Sequence, residues 1–255
     1  MSDTPSLSRH TAQGRSSTAI QDAIDLLNLG QIELEGLLPW SSNYTFLVKI
    51  IKGDMQGMAV YKPCKGERPL WDFPSGTLAT REVAAYVVSQ SLDWPIVPPT
   101  ILRDGPHGRG MLQLFIDADP EEHYYTFGND FPDEFKRFAL FDILINNADR
   151  KAGHCLRDDS DQIWAIDHGV CFHTDPKLRT VIWEFADQSI PENLLEDVTR
   201  FCKCLDDASG ETRQKLQQLL TRDEIEAMQQ RVDRLLTYTR FPKPGGQRHI
   251  PWPPV

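Results

Sequence analysis

The 255-residue sequence has no apolar run approaching the roughly 18 residues of a membrane-spanning helix, so integral membrane association is not expected. Cysteine is scarce: Cys64, Cys155, Cys171, Cys202 and Cys204 form an odd, unevenly spread set that fits reduced thiols rather than a disulfide framework. No CxxC or HxxxH pair is present, which argues against structural zinc. Positive charge is in deficit, with 27 Lys and Arg against 37 Asp and Glu and a formal charge of −10, so electrostatics oppose docking on nucleic acid or an anionic membrane. The opening residues, MSDTPSLSRHTAQGRSS, show neither the apolar core of a secretory leader nor an Arg-rich transit pattern. Residues 1–16 are therefore expected to form a disordered tail on a cytoplasmic protein.

What is present reads as two halves. Ile20, Ala23, Ile24 and Leu27 recur at helical spacing, with Ser17 or Thr18 as the cap and Gly30 as the stop. Strand-like segments follow at Gln31 to Leu38, Thr45 to Lys52 and Gly57 to Pro63, the last two joined by a turn at Gly53-Asp54. A helix is predicted from Leu78 to Leu92, ended by the Pro95, Pro98 and Pro99 cluster, and two more strands at Thr100 to Arg103 and Gly110 to Asp117. This first half, residues 17–118, reads as a sheet of about five antiparallel strands with one helix inserted after the third.

From residue 119 to 240 helices dominate. Asp133 to Asn146 is apolar on nearly all sides in its second half and reads as a core helix. A small hairpin is expected from His154 to Leu156 and Gln162 to Ile166, around the acidic turn 158–161. Helices are predicted near Pro191 to Leu205, Glu211 to Leu219 and Arg222 to Thr239, the last with a capping box of Thr221 and Glu224. The proline-rich residues 241–255 read as an extended tail, a strap over the helical half rather than a docking peptide.

The chemistry centres on two carboxylates. Asp149 directly follows the buried helix in the run Asn146-Asn147-Ala148-Asp149-Arg150-Lys151-Ala152-Gly153-His154. Asp167 ends the apolar strand Ile163-Trp164-Ala165-Ile166, and a carboxylate there requires a partner. Phosphoryl transfer uses such a pair, one to orient the attacking hydroxyl and take its proton, the other to hold a hard cation against the nucleotide phosphates.

The run Asp149 to His154 resembles the D-R-x-x-x-N catalytic loop of the phosphatidylinositol 3-/4-kinase-like superfamily, and Ile166-Asp167-His168-Gly169 resembles its I-D-x-G metal motif. As a whole chain, residues 32 to 240 are most similar to compact bacterial members whose substrates are mostly undefined. The resemblance implies an α+β fold of two lobes, an antiparallel sheet N-lobe and a mainly helical C-lobe, using ATP with Mg2+ or Mn2+. It also implies that Lys62 pairs with the ATP phosphates and that Glu82 is its ion-pair partner. Val60 would line the adenine pocket, and backbone groups near Gln113, Leu114, Phe115 and Ile116 would read the adenine edge. Ser41, Ser42 and Asn43, in the glycine-free loop 40–45, stand where a phosphate-covering loop belongs. Asp167 with His154 would hold the metal.

One departure stands out: His154 replaces the asparagine of the family pattern, and imidazole suits manganese or zinc better than magnesium. It implies slower turnover or a manganese preference, and leaves open a nucleotide-binding pseudokinase or scaffold beside the active kinase; a nucleotidyl transferase on the same fold is the more distant reading. The phosphate acceptor, a lipid, a protein or a small molecule, is not specified. In the segment Thr174 to Ile190, where a substrate loop would lie, Lys177 and Arg179 are equally readable as cations for a phosphorylated substrate or as solvated charges. Trp183 and Phe185 read as core anchors.

Overall fold

In the computed structural model, which describes residues 8–38, 43–246 and 248–255, the chain starts with a helix rather than a tail. Helix α1 runs from Ser8 to Leu29 and corrects the expectation of disorder over residues 8–16; residues 1–7 lie outside the described residues. No proline follows Pro5 here, and extending an existing helix costs far less than nucleating one.

Strands β1 (Gln31–Leu37), β2 (Phe46–Lys52) and β3 (Met55–Pro63) form an antiparallel meander, turned between β2 and β3 at Gly53, whose φ of +59° suits glycine. Helix α2 (Leu78–Ser91) precedes β4 (Thr100–Gly105) and β5 (Gly108–Leu114), giving the sheet order β1-β2-β3-β5-β4. Period-two alternation sorts the side chains of the sheet. Val48, Ile50, Ala59, Tyr61 and Leu112 pack beneath Leu26 and Leu27 of α1, while Met111 and Val60 meet Ala79 and Val83 of α2 on the other face. A Cβ at Gly110 would lie 2.4 Å from the Lys62 carbonyl, so glycine lets β5 close on the end of β3 that carries this lysine.

The helical half is built on α4 (Pro132–Ile145), preceded by the single turn α3 (Tyr124–Phe127). Phe135, Phe138, Leu140, Phe141 and Leu144 are all fully buried, so truncating any one phenylalanine would cost about 3–5 kcal/mol. Asn146 ends α4 in the left-handed region, φ 52°, which asparagine tolerates. Strands β6 (Cys155–Arg157) and β7 (Ile163–Ala165) form the small hairpin; the Asp158 carboxylate fixes its turn by accepting from the Ser160 and Gln162 amides and the Trp164 indole. Helices α5 (Glu192–Asp206), α6 (Glu211–Leu219) and α7 (Arg222–Tyr238) close the lobe, and the Thr221–Glu224 capping box is present at α7. The two halves are pinned by Arg81 of α2, which is buried, bonds to Glu224 and donates to the Cys171 carbonyl at 2.6 Å.

Candidate active site

Alternation along β3 turns Ala59, Tyr61 and Pro63 inward and leaves Val60 and Lys62 on the face toward α2. There the Lys62 Nζ lies 2.7 Å from Glu82 Oε1 and 2.8 Å from Asp167 Oδ1. The second Glu82 oxygen accepts the His168 amide at 2.8 Å, so one carboxylate holds both the lysine and the loop after β7. Burial pulls the Lys62 ammonium down, but attraction to Asp167 and Glu82 outweighs it and the net shift is upward. Burial pushes the Glu82 carboxyl up against the pull of Lys62, whereas Asp167 is held well below the usual carboxylate range, chiefly by Lys62. Asp167 itself sits at φ 62°, in the left-handed region.

Asp149 lines the same cavity as Lys62, Glu82, Asp167, Asn43 and Glu67. Its amide donates to Asn147 Oδ1 at 3.0 Å, and Lys151 Nζ is 3.6 Å from its carboxylate. Burial pushes its carboxyl up to about 6, with Lys151 pulling the other way and Asp167 adding to the rise. His154 Nε2 is 3.3 Å from Asp167 Oδ2, and its Nδ1 accepts the Lys151 amide, which places the ring proton on Nε2. Burial lowers the imidazole to about 4, so it is neutral at pH 7.

Arg150 frames this geometry. It is fully buried and pairs with the fully buried Asp142 through Nη2 at 3.0 Å and Nε at 3.1 Å. It also bonds to His168 Nε2 at 2.7 Å and donates to the carbonyls of His154 and Ile166 at 3.2 and 3.0 Å. The loops bearing Asp149 and Asp167 are thus tied to one guanidinium. The residues from 248 onward brace the same region. The Pro254 carbonyl accepts the Ala152 amide at 2.8 Å, and the His249 carbonyl accepts the Thr180 amide at 3.0 Å and the Trp183 indole at 3.1 Å.

Other expected site residues are placed less directly. Ser41 and Ser42 lie outside the described residues, whereas Asn43 lines the cavity and accepts the Arg68 amide at 2.7 Å. Val60 and Gln113 are register partners on the α2 face of the sheet, the face that also carries Lys62, but neither lines the cavity around Lys62, and Gln113 Nε2 donates to Thr100 Oγ1. Strand β5 ends at Leu114, not Asp117. The Leu114 and Phe115 amides are taken by the Pro99 and Met58 carbonyls, so both are already engaged before Ile116 begins the connection between lobes. Lys177 is not a solvated charge: its Nζ is 2.7 Å from Asp72 and 4.9 Å from the centre of the exposed Trp71 ring. Phe185 is buried and Trp183 partly so.

Sequence reasoning missed Asp142, Asp72 and Glu67. Asp142 carried a signal, since a carboxylate within Phe138 to Ile145 must be buried and must have a partner. All five cysteines are free, and among the described residues no group of three or more His, Cys, Asp or Glu side chains is placed to hold a metal ion. Asp167, an ionised carboxylate, nevertheless fits a hard cation as a partial set, because magnesium commonly takes one or two protein ligands and completes its shell with phosphates and water. His154, with Nδ1 taken by the Lys151 amide and its proton on Nε2, donates toward Asp167 rather than offering a lone pair, which corrects its expected place as a metal ligand.

The family model described as phosphatidylinositol 3- and 4-kinase matches residues 74–219, more than half of the chain. Protein Rv2133c of Mycobacterium tuberculosis is 38% identical over 275 residues, covering 94% of this chain and 98% of that protein. Phosphatidylinositol 4-kinase gamma 4 of Oryza sativa subsp. japonica is 34% identical over 134 residues, 45% of this chain and 24% of that longer protein. Among solved structures, the Helicobacter pylori proinflammatory kinase CtkA superposes with a TM-score of 0.51 at 11% identity, over 84% of this chain and 94% of that one, a likeness of fold.

Proposed function

The chain belongs to the phosphatidylinositol 3- and 4-kinase family, and from that premise we propose that it is an ATP- and divalent-metal-dependent phosphotransferase acting on a lipid, protein or small-molecule hydroxyl. The observation that carries this reading is the Lys62 ammonium held 2.7 Å from Glu82 and 2.8 Å from Asp167, on a cavity that Asp149 also lines.

In this reading Lys62 holds the nucleotide phosphates and Glu82 fixes its position. Asp167 would hold the divalent ion, which when bound supplies neutralising charge at those phosphates, and the Nε2–H of His154 steadies that carboxylate. Val60, Gln113, Phe115 and Ile116 border the base, and Asn43 covers the phosphates. Asp149 orients the acceptor hydroxyl and takes up its proton. A carboxyl raised to about 6 is a stronger base than an ordinary aspartate and is still ionised at neutral pH. Arg150 moves no proton; it keeps the two aspartate loops in register.

Transfer of label from γ-labelled ATP, in Mg2+ and separately in Mn2+, tests the proposal against hydroxyl acceptors of the three classes. Self-labelling or acceptor labelling that needs metal and Asp149 supports it. Metal-dependent ATP binding with no transfer in either metal would reduce the protein to a nucleotide-binding scaffold, and label arriving only from the α-phosphate would make it a nucleotidyl transferase.

A further inference from the structure

Away from the kinase-type centre, the helical lobe holds a cavity of about 530 Å³, within the size range of small-molecule sites. Ile143, Leu178, Leu235 and Phe241 supply apolar wall, and Leu235 and Phe241 are themselves buried. Four cations also line it, Arg231, Arg234, Arg240 and Lys243, against one carboxylate, Asp187. In a chain of net charge −10 this local excess of positive charge runs against the overall balance.

The cations are not equivalent. Asp187 is shared by Arg240 and Lys243, with Lys243 Nζ at 3.0 Å. Arg231 and Arg234, one helical turn apart on α7, have no carboxylate partner among the described residues. Arg231 donates only to neutral carbonyls, Leu144 at 2.9 Å and His173 at 3.4 Å, and its buried Nη2 has no hydrogen-bond partner. Burial, with repulsion from Arg234, lowers this guanidinium to about 10. A largely desolvated cation next to a second cation, with no counter-charge, is costly unless an anion completes the pair.

We propose that this cavity binds a small amphipathic anion, its alkyl portion against Leu178, Leu235 and Phe241 and its phosphate or carboxylate head between Arg231 and Arg234. The site reports to the active centre through the segment that forms its wall. Leu178 and Pro176 line the cavity, as does Asn146, whose side chain donates to the His173 and Asp175 carbonyls and accepts the Lys177 amide. Occupancy therefore orders residues 174–180, and the Arg179 carbonyl at the end of that stretch accepts the Arg150 amide.

The test is calorimetric titration of the full chain with octyl phosphate, octanoate, octanol and inorganic phosphate, each below its aggregation limit, with hydrogen exchange of residues 174–180 followed in parallel. Octyl phosphate or octanoate is expected to bind once per chain, at least about tenfold tighter than octanol or inorganic phosphate, and to slow exchange over 174–180; the tighter of the two names the head group. Arg231→Gln should abolish binding, but it also removes bonds to two carbonyls. Arg234→Glu, at an exposed position, is the decisive variant and should weaken binding at least about tenfold with the melting temperature unchanged. Octanol binding as tightly as octyl phosphate, equal affinity in Arg234→Glu, or no saturable binding of either anion would overturn the proposal. None of these outcomes depends on whether ATP is turned over.

Discussion

Asp149 and Asp167 are the same residue type facing one cavity, yet their surroundings drive them apart. Asp167 meets the Lys62 ammonium at 2.8 Å and stays ionised through the whole working pH range. Asp149 has the more distant Lys151 at 3.6 Å, with a weaker pull from Arg179, and burial raises it to about 6. The difference teaches that protonation here is set by the surroundings and not by the side-chain type: one carboxylate is a permanent anion, the other titrates near neutrality, which suits the two roles proposed for them.

The comparison breaks most severely at Asp167. Asp167→Asn should lower transfer by roughly 10³-fold or more and remove the metal dependence of ATP binding, measured by label transfer and by melting with ATP with and without Mg2+. Asp149→Asn should cost roughly 10²- to 10³-fold in kcat while ATP affinity stays, if that carboxylate faces the acceptor as proposed. In the wild type, kcat/KM should fall about tenfold per pH unit below about 6, as Asp149 takes up its proton; a profile flat down to pH 5 would remove it as the base. Asp142→Asn strands the buried Arg150 charge and should destabilise the fold by roughly 3 kcal/mol in chemical denaturation, with Asp142→Leu/Arg150→Met regaining part of the loss.

Two smaller effects sharpen the contrast. Deleting residues 248–255 removes the carbonyl partners of Ala152 and Thr180 and should lower kcat about tenfold with nucleotide affinity unchanged. Asp149→Asn should also stabilise the protein at pH 7.5. The folded pKa of about 6 lies above the ordinary 3.8, so the native state disfavours the ionised carboxylate, and stability present at pH 4 is lost as pH rises toward 6. Asparagine escapes that loss, a gain on the order of 1 kcal/mol after allowance for solvent, and the advantage should vanish near pH 4.

Much of this was legible in the chain. Strand-like composition around the Gly53-Asp54 turn marked β2 and β3, a proline cluster stopped α2, and the apolar run of α4 announced the buried helix that delivers Asp149. The family resemblance, not periodicity, named Lys62, Glu82, Asp149 and Asp167, and the four line one cavity. What stayed hidden depends on contacts remote in sequence. Lys177 meets Asp72 across 105 positions, and the Pro254 carbonyl finds the Ala152 amide with no side-chain signature at all. The first turns of α1 were missed because residues 8–16 carry no apolar stripe to announce a helix. Arg150 follows Asp149 directly in the chain, but its partner is the buried Asp142 eight positions earlier, which adjacency does not reveal.

The left-handed backbone at Asp167 narrows the evolutionary exits from this site. At φ 62° aspartate, asparagine and glycine are accommodated at little cost, whereas most other side chains incur strain of order 1 kcal/mol or more. Under the proposed function, a lineage that loses phosphotransfer while keeping the fold would therefore pass most easily through asparagine or glycine at this position.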